Sequence, residues 1–349
     1  MAFINFQPTD YFNTKLYTGN GSTNAITGVG FQPDWVWIKK RNATGQHQLF
    51  DAVRGVTKKV YSDSTDAEST SATTLTAFGT DGFTVGSNSG INGSSDTIVS
   101  WNWRAGTTSG IATDGSSNIT PSGYSFNTTS KFSVVKWAGT GVDGAYLPHG
   151  LGVAPSVAII KKTSASEEWV MFHIGLGTNA RQEYLRLNNS AAKVTTSGIW
   201  YSQLPTATNI RLSNDSWVSA SGSNYVGYFF ADTPGYQKHG SYVGNGNADG
   251  AYIYTGFKPA MVIIKGSSNT ENWHMYDNKR DTGNPTDQAL QPNTTSAEFT
   301  ETNVLDFLSN GFKLRVSGAG HNGSGVSYIY MAFGEEPLVS SNGVPATAR

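Results

Sequence analysis

Three observations predict an all-β protein built from three tandem antiparallel β-sandwich repeats of a jelly-roll or lectin-like kind. The phrase "GFQPDWVWIKK" at 30–40 returns as "GVAPSVAIIKK" at 152–162 and as "GFKPAMVIIKG" at 256–266. An aromatic follows each proline of the phrase by 17 residues: Phe50 after Pro33, Phe172 after Pro155 and Tyr276 after Pro259. The composition suits turn-rich β structure, with 40 glycines, abundant Ser, Thr and Asn, 12% aromatics and only 14% charged residues. One unit of roughly 90–100 residues, written three times, accounts for most of the chain.

Along the chain, residues 1–16 combine a leading segment with a first strand and are aromatic for a terminus, with Phe3, Phe6, Tyr11 and Phe12. The first repeat takes 17–105 and opens with an aromatic followed by a GxG, "YTGNG", matched by "WAGTG" at 137 and "YVGNG" at 242. Its phrase holds "WVWI", matched by "VAII" and "MVII". These four-residue apolar runs are too short for helices and read as strands buried on both faces. The proline two residues earlier suits a strand's entrance, and the lysine at the far end is expected to keep its ammonium in water.

Phe83, Ile210 and Phe312 start equivalent later strands. The pairs Asn92-Gly93, Ser221-Gly222 and Asn322-Gly323 offer the positive φ of a hairpin or bulge. Trp101 and Trp103, Tyr228 and Phe230, and Met331 and Phe333 mark the closing strands. A Gly/Ser/Thr-rich linker fills 106–130, with a short hairpin at most. The second repeat takes 131–233, the third 234–337 and a tail 338–349, while "NVLDFLSNG" at 303–311 reads as one or two helical turns.

Catalytic signatures are absent from this pattern. No GxSxG, Walker lysine loop or dinucleotide fingerprint occurs in a strand-to-helix context. The six histidines, His47, His149, His173, His239, His274 and His321, lack the spacing of a metal site and read as ordinary polar or core residues. The adjacent carboxylates Glu167–Glu168 and Glu335–Glu336 point to opposite faces of a strand and do not form a glycosidase pair. Asp63, Asp66 and Glu68, and the "DGAY" tetrads at 143 and 249, offer oxygen ligands for calcium but match neither an EF-hand nor a β-helix calcium repeat. No catalytic residue, cofactor or metal is therefore expected.

With no cysteine, disulfides and thiolate chemistry are excluded. A net charge of −1 gives no field that would draw nucleic acid or a membrane surface. Neither a secretion signal nor a membrane-spanning apolar run is present, so a soluble protein made in a cytoplasm is expected.

Aromatics matched across the copies, such as Trp35, Trp37, Trp101, Trp103, Trp169 and Trp273, are expected in the core. Those present in one copy alone are the better surface candidates. Trp200 and Tyr201 in "SGIWYSQLP", with Trp217, stand near Asn, Ser and Thr donors as a glycan-stacking surface would.

In the phrases "FQPTDYFNTKLYTGNGSTNAITGVGFQPDWVWIKKR", "GLGVAPSVAIIKK", "YTGFKPAMVIIK", "DFLSNGFKLR" and "VSSNGVPATAR", the whole chain resembles virion proteins of tailed bacteriophages, marine ones especially. Those proteins carry tandem copies of an uncharacterised β-rich domain. The resemblance implies a non-enzymatic virion protein, made in the host cytoplasm and exposed on the particle as a tail-fibre or receptor-binding component used in attachment. Its implied partners are other virion proteins and a host surface glycan, in a homo-oligomer such as a trimer. Phe3 and Phe6 would belong to a virion anchor. The alternatives are a capsid decoration or head-fibre protein that stabilises the shell, and a carbohydrate-active enzyme on a β-sandwich.

Overall fold

The computed structural model describes residues 6–177, 179–339 and 344–347. It is an all-β protein of several antiparallel sheets. Each phrase becomes a strand: Trp35–Lys40, Val157–Lys162 and Phe257–Gly266. On one side it pairs with the strand carrying the aromatic 17 residues on, Gln48–Asp51, Trp169–His173 or His274–Asp277. On the other it pairs with a closing strand, Thr97–Trp103, Asn224–Phe230 or Ser327–Pro337. The closing strand pairs in turn with an opening one, Phe12–Thr18, Phe132–Ala138 or Gln237–Val243. This four-strand order recurs in 12–103, 132–230 and 237–337, called here the first, second and third segments.

Strand alternation explains why the apolar runs have no polar side. Trp35 and Trp37 point into a core shared by all three segments, while Val36 and Ile38 pack with Ile26, Phe83 and Val85 of a small outer sheet. In the third segment, Met261 and Ile263 face the shared core, and Val262 and Ile264 face Phe312 and Leu314 of its own outer sheet.

The segments meet in cyclic order. Trp169 Nε1 donates to the Tyr61 carbonyl (2.7 Å), Trp273 Nε1 donates to the Arg186 carbonyl (3.0 Å), and the ring of His47 faces the backbone of Gln291. The Glu68, Lys193 and Glu298 amides donate to the carbonyls of Thr163, Ser267 and Arg41 at 3.0, 2.9 and 2.8 Å. Second thus binds first, third binds second and first binds third. At the centre, the buried rings of Trp103, Phe230 and Phe333 lie with centroids 6.4, 5.3 and 5.6 Å apart, one from each closing strand.

Several expectations need correction. The first lysine of each phrase is not in water: Lys39, Lys161 and Lys265 are buried. The Lys39 ammonium donates to the carbonyls of Gly45 (2.5 Å) and Thr295 (3.1 Å), and that of Lys161 to Glu167 (2.6 Å) and Thr65 (2.9 Å), so each ties its own loop to the neighbouring segment. The stretch at 106–130 is more than a linker, because Pro121–Asn127 pairs with Phe132–Ala138 and adds an edge strand. Residues 303–308 continue the strand Phe299–Leu308, held against Gly311–Leu314. Of the three glycines given turn duty, only Gly222 has a positive φ, +73°. Asn92 and Asn322 instead tie down the GxG turns, donating to Asn20 Oδ1 (3.0 Å) and Asn245 Oδ1 (2.7 Å).

Candidate functional site

The expected glycan residues do not form one surface. Trp200 is buried, donating from Nε1 to the Glu183 carbonyl (2.9 Å) and meeting Phe172 edge-on, so it belongs to the core. Being unique to one copy marked it as added, but the addition fills volume under the second sheet. Tyr201 is half-buried beneath the Arg211 guanidinium, 4.1 Å from the ring centroid. Trp217 is half-buried too, edge-on to Tyr184 (5.4 Å) and under Arg186 (5.3 Å).

Of the anchor pair, Phe3 lies outside the described residues. Phe6 packs against Tyr11 and Tyr236, at centroid distances of 5.2 and 5.9 Å, and so is part of the fold. The six matched tryptophans are all buried. Glu335 is held by Lys279 (3.1 Å) and Lys258 (3.4 Å), an ordinary ion-pair role.

Exposed aromatic surface lies instead on the third segment. Tyr252 and Tyr254, about half exposed, stand on the same side of the strand Tyr252–Tyr254. Lys238 sits 5.5 Å from the Tyr254 ring centroid. A cavity of about 400 Å³ beside them is lined by Asp232, Lys238, Tyr254, Thr255 and Pro337 among others.

The densest chemistry is also in the third segment, where residues distant in sequence meet. His274 and Tyr276 alternate on one strand, Glu301 stands on the strand Phe299–Leu308, and His321 lies in the loop before the closing strand. Glu301 Oε1 is 3.6 Å from His274 Nε2, and its Oε2 is 3.4 Å from His321 Nε2. The Tyr276 hydroxyl donates to Glu301 and lies 2.8 Å from His321 Nε2. The two imidazole centroids are 4.2 Å apart.

Burial pushes His274 down to about 4 and His321 well below the ordinary histidine value, so both rings are neutral at neutral pH. Burial raises Glu301 despite the Tyr276 hydrogen bond, and it drives the Tyr276 phenol well above 10. One ligand atom from each of His274, Glu301 and His321 falls within 4.8 Å of the others.

The other segments show what these positions hold when only packing is required. Register gives Gln48 and Val170 the place that His274 holds, and Phe50 and Phe172 the place of Tyr276. The Gly21, Gly141 and Gly246 amides donate to the carbonyls of Asn92, Ser219 and Asn322, each at 2.8 Å. The residues just before these are Ile91, Val218 and His321. An apolar or amide-filled layer has thus become two imidazoles and a phenol in the third segment alone. His274 and His321 stand far apart in sequence, so no spacing rule joins them, but comparing matched positions would have exposed the polarity change.

The family model of a domain of unknown function (DUF7483) matches residues 7–337. No curated protein and no solved structure matches the chain.

Proposed function

The chain belongs to the DUF7483 family, a domain of unknown function, and we propose that it is a non-enzymatic surface protein of a phage particle, used in attachment to the host. The observation that carries this reading is the cyclic closure of the three segments over one core, with an exposed aromatic pair left on the rim. Interlocked indole and lysine contacts make a stiff body, and a stiff body presents a binding surface at little entropic cost. Tyr252 and Tyr254, with Lys238 and the adjoining cavity, supply flat apolar faces beside polar groups, as stacking on a sugar requires. The trimer expected of separate chains has a counterpart inside one chain, so a monomer suffices.

The test is adsorption to host cells. Replacing Tyr252 and Tyr254 by serine should leave stability within about 0.5 kcal/mol, since both are surface positions, while reducing binding. Unchanged adsorption by a folded double variant would reject this surface.

The cyclic arrangement also suits a shell-decorating protein seated on a threefold position. Density for the chain in a reconstructed particle separates the two readings: tail or fibre density supports attachment, and shell density supports decoration.

A further inference from the structure

We propose that His274, Glu301 and His321 bind one divalent transition-metal ion of the zinc class, with Tyr276 at its fourth position. Two imidazoles and one carboxylate form the donor set that zinc-like ions take, whereas calcium and magnesium call for more oxygens. Zinc bonds of about 2.0–2.2 Å set neighbouring donors of a tetrahedral site about 3.4 Å apart. The two nitrogen-to-carboxylate separations are 3.6 and 3.4 Å. These distances reach different oxygens of Glu301, and the three donors lie within 4.8 Å of one another, so closing on an ion takes a turn of the carboxylate and exchange of the Tyr276 hydrogen bonds for metal bonds.

His274 and Tyr276 share one strand, Glu301 stands on another and His321 lies in the loop before the closing strand, so the tertiary structure sets the spacing. Both rings are buried, while Glu301 keeps about a quarter of its side chain in solvent as a way in. The Gln291 amide N–H, 3.2 Å from His274 Nε2, has to turn aside, while its Oε1 already accepts from Asn272 Nδ2 at 3.1 Å.

The competing account is a metal-free hydrogen-bonded network. It explains the Tyr276 contacts, but it gives no reason for burying two imidazoles where Gln48 and Ile91, or Val170 and Val218, serve the first two segments. Those residues also supply the test, because the sister layers already show them packed. The inference is independent of the attachment reading.

The experiment uses the full chain, stripped with a chelator and titrated with Zn²⁺ by calorimetry and with Co²⁺ by visible absorption. One ion per chain is expected, with a rise in melting temperature that Mg²⁺ does not reproduce. His321→Ile and Glu301→Gln should each weaken Zn²⁺ binding at least about 100-fold. Tyr276→Phe, the residue found at both matched positions, should weaken it roughly 10- to 100-fold. Glu301 is partly exposed, so Glu301→Gln keeps the test valid if a histidine variant fails to fold. No saturable Zn²⁺ or Co²⁺ uptake by the parent, or uptake by folded Glu301→Gln as tight as the parent's, overturns the proposal.

Discussion

Single residues carry most of the joints between segments, and two of them have measurable consequences. Arg54 lies on Asp51 at 2.5 Å, with the Tyr228 hydroxyl of the second segment donating to the same carboxylate (2.8 Å). Arg280 repeats this on Asp277 at 2.5 Å, with Trp101 Nε1 of the first segment donating at 3.1 Å. Both ion pairs are buried, so removing one partner strands a charge: Arg280→Met should cost about 3–5 kcal/mol in denaturant unfolding. A loss under about 1 kcal/mol would show that Asp277 finds other compensation.

Lys39 and Lys161 give a pH signature. Burial brings both down to about 8 from 10.5, with Asp63 opposing the shift at Lys39 and Glu167 at Lys161. Between those values the unfolded chain holds more protons than the folded one, so unfolding free energy should rise with pH from about 8 toward 10. Neutral amines keep two N–H donors for the two carbonyls each lysine serves. Above about pH 10 buried tyrosines such as Tyr228, raised well above 10.0, act the other way, because only the unfolded chain ionises them. Urea midpoints at about pH 7.5 and about pH 9.5 check this, and Lys39→Met should flatten the rise.

At the scale of elements, the core strands were legible in the sequence because their signals are local. A proline, four apolar residues and an aromatic at a constant interval need no tertiary information, and Trp35, Trp169 and Trp273 lie buried as that pattern implies. The edge strand Pro121–Asn127 was not legible, since its Gly- and Ser-rich composition resembles a linker until a partner strand lies beside it. Ser125 Oγ then donates to buried Asp34 at 2.6 Å, fastening this strand to the first segment. The strand at 299–308 reads in part as helical turns, but pairing with Gly311–Leu314 holds it as a strand. Trp200 misled because being unique in sequence says nothing about burial.

The GxG after each opening strand was legible as a motif but not as a cause. A Cβ on Gly19, Gly139 or Gly244 would lie 2.1, 2.1 or 2.3 Å from the carbonyl oxygen of Gly93, Ala220 or Gly323. Gly139→Ala should therefore cost about 2–3 kcal/mol by thermal or chemical unfolding. A neutral result would mean the turn can open without disturbing the strands it joins.

For the whole molecule, shared burial outweighs division into repeats. Trp35, Phe132, Tyr228, Phe230 and Phe333 belong to one core cluster although they come from three segments. A segment expressed alone would expose this face, so residues 131–233 alone should be aggregated or unfolded, and the intact chain should melt in a single calorimetric transition. Separate transitions for separate segments would refute this unity.

The triangle of Trp103, Phe230 and Phe333 has a further bearing on where such a protein can work. Rings in mutual contact fill the place where the three closing strands meet, so among the described residues the molecule has no channel there. It cannot thread a duplex, act as a sliding clamp or continue a conduit through which a genome travels.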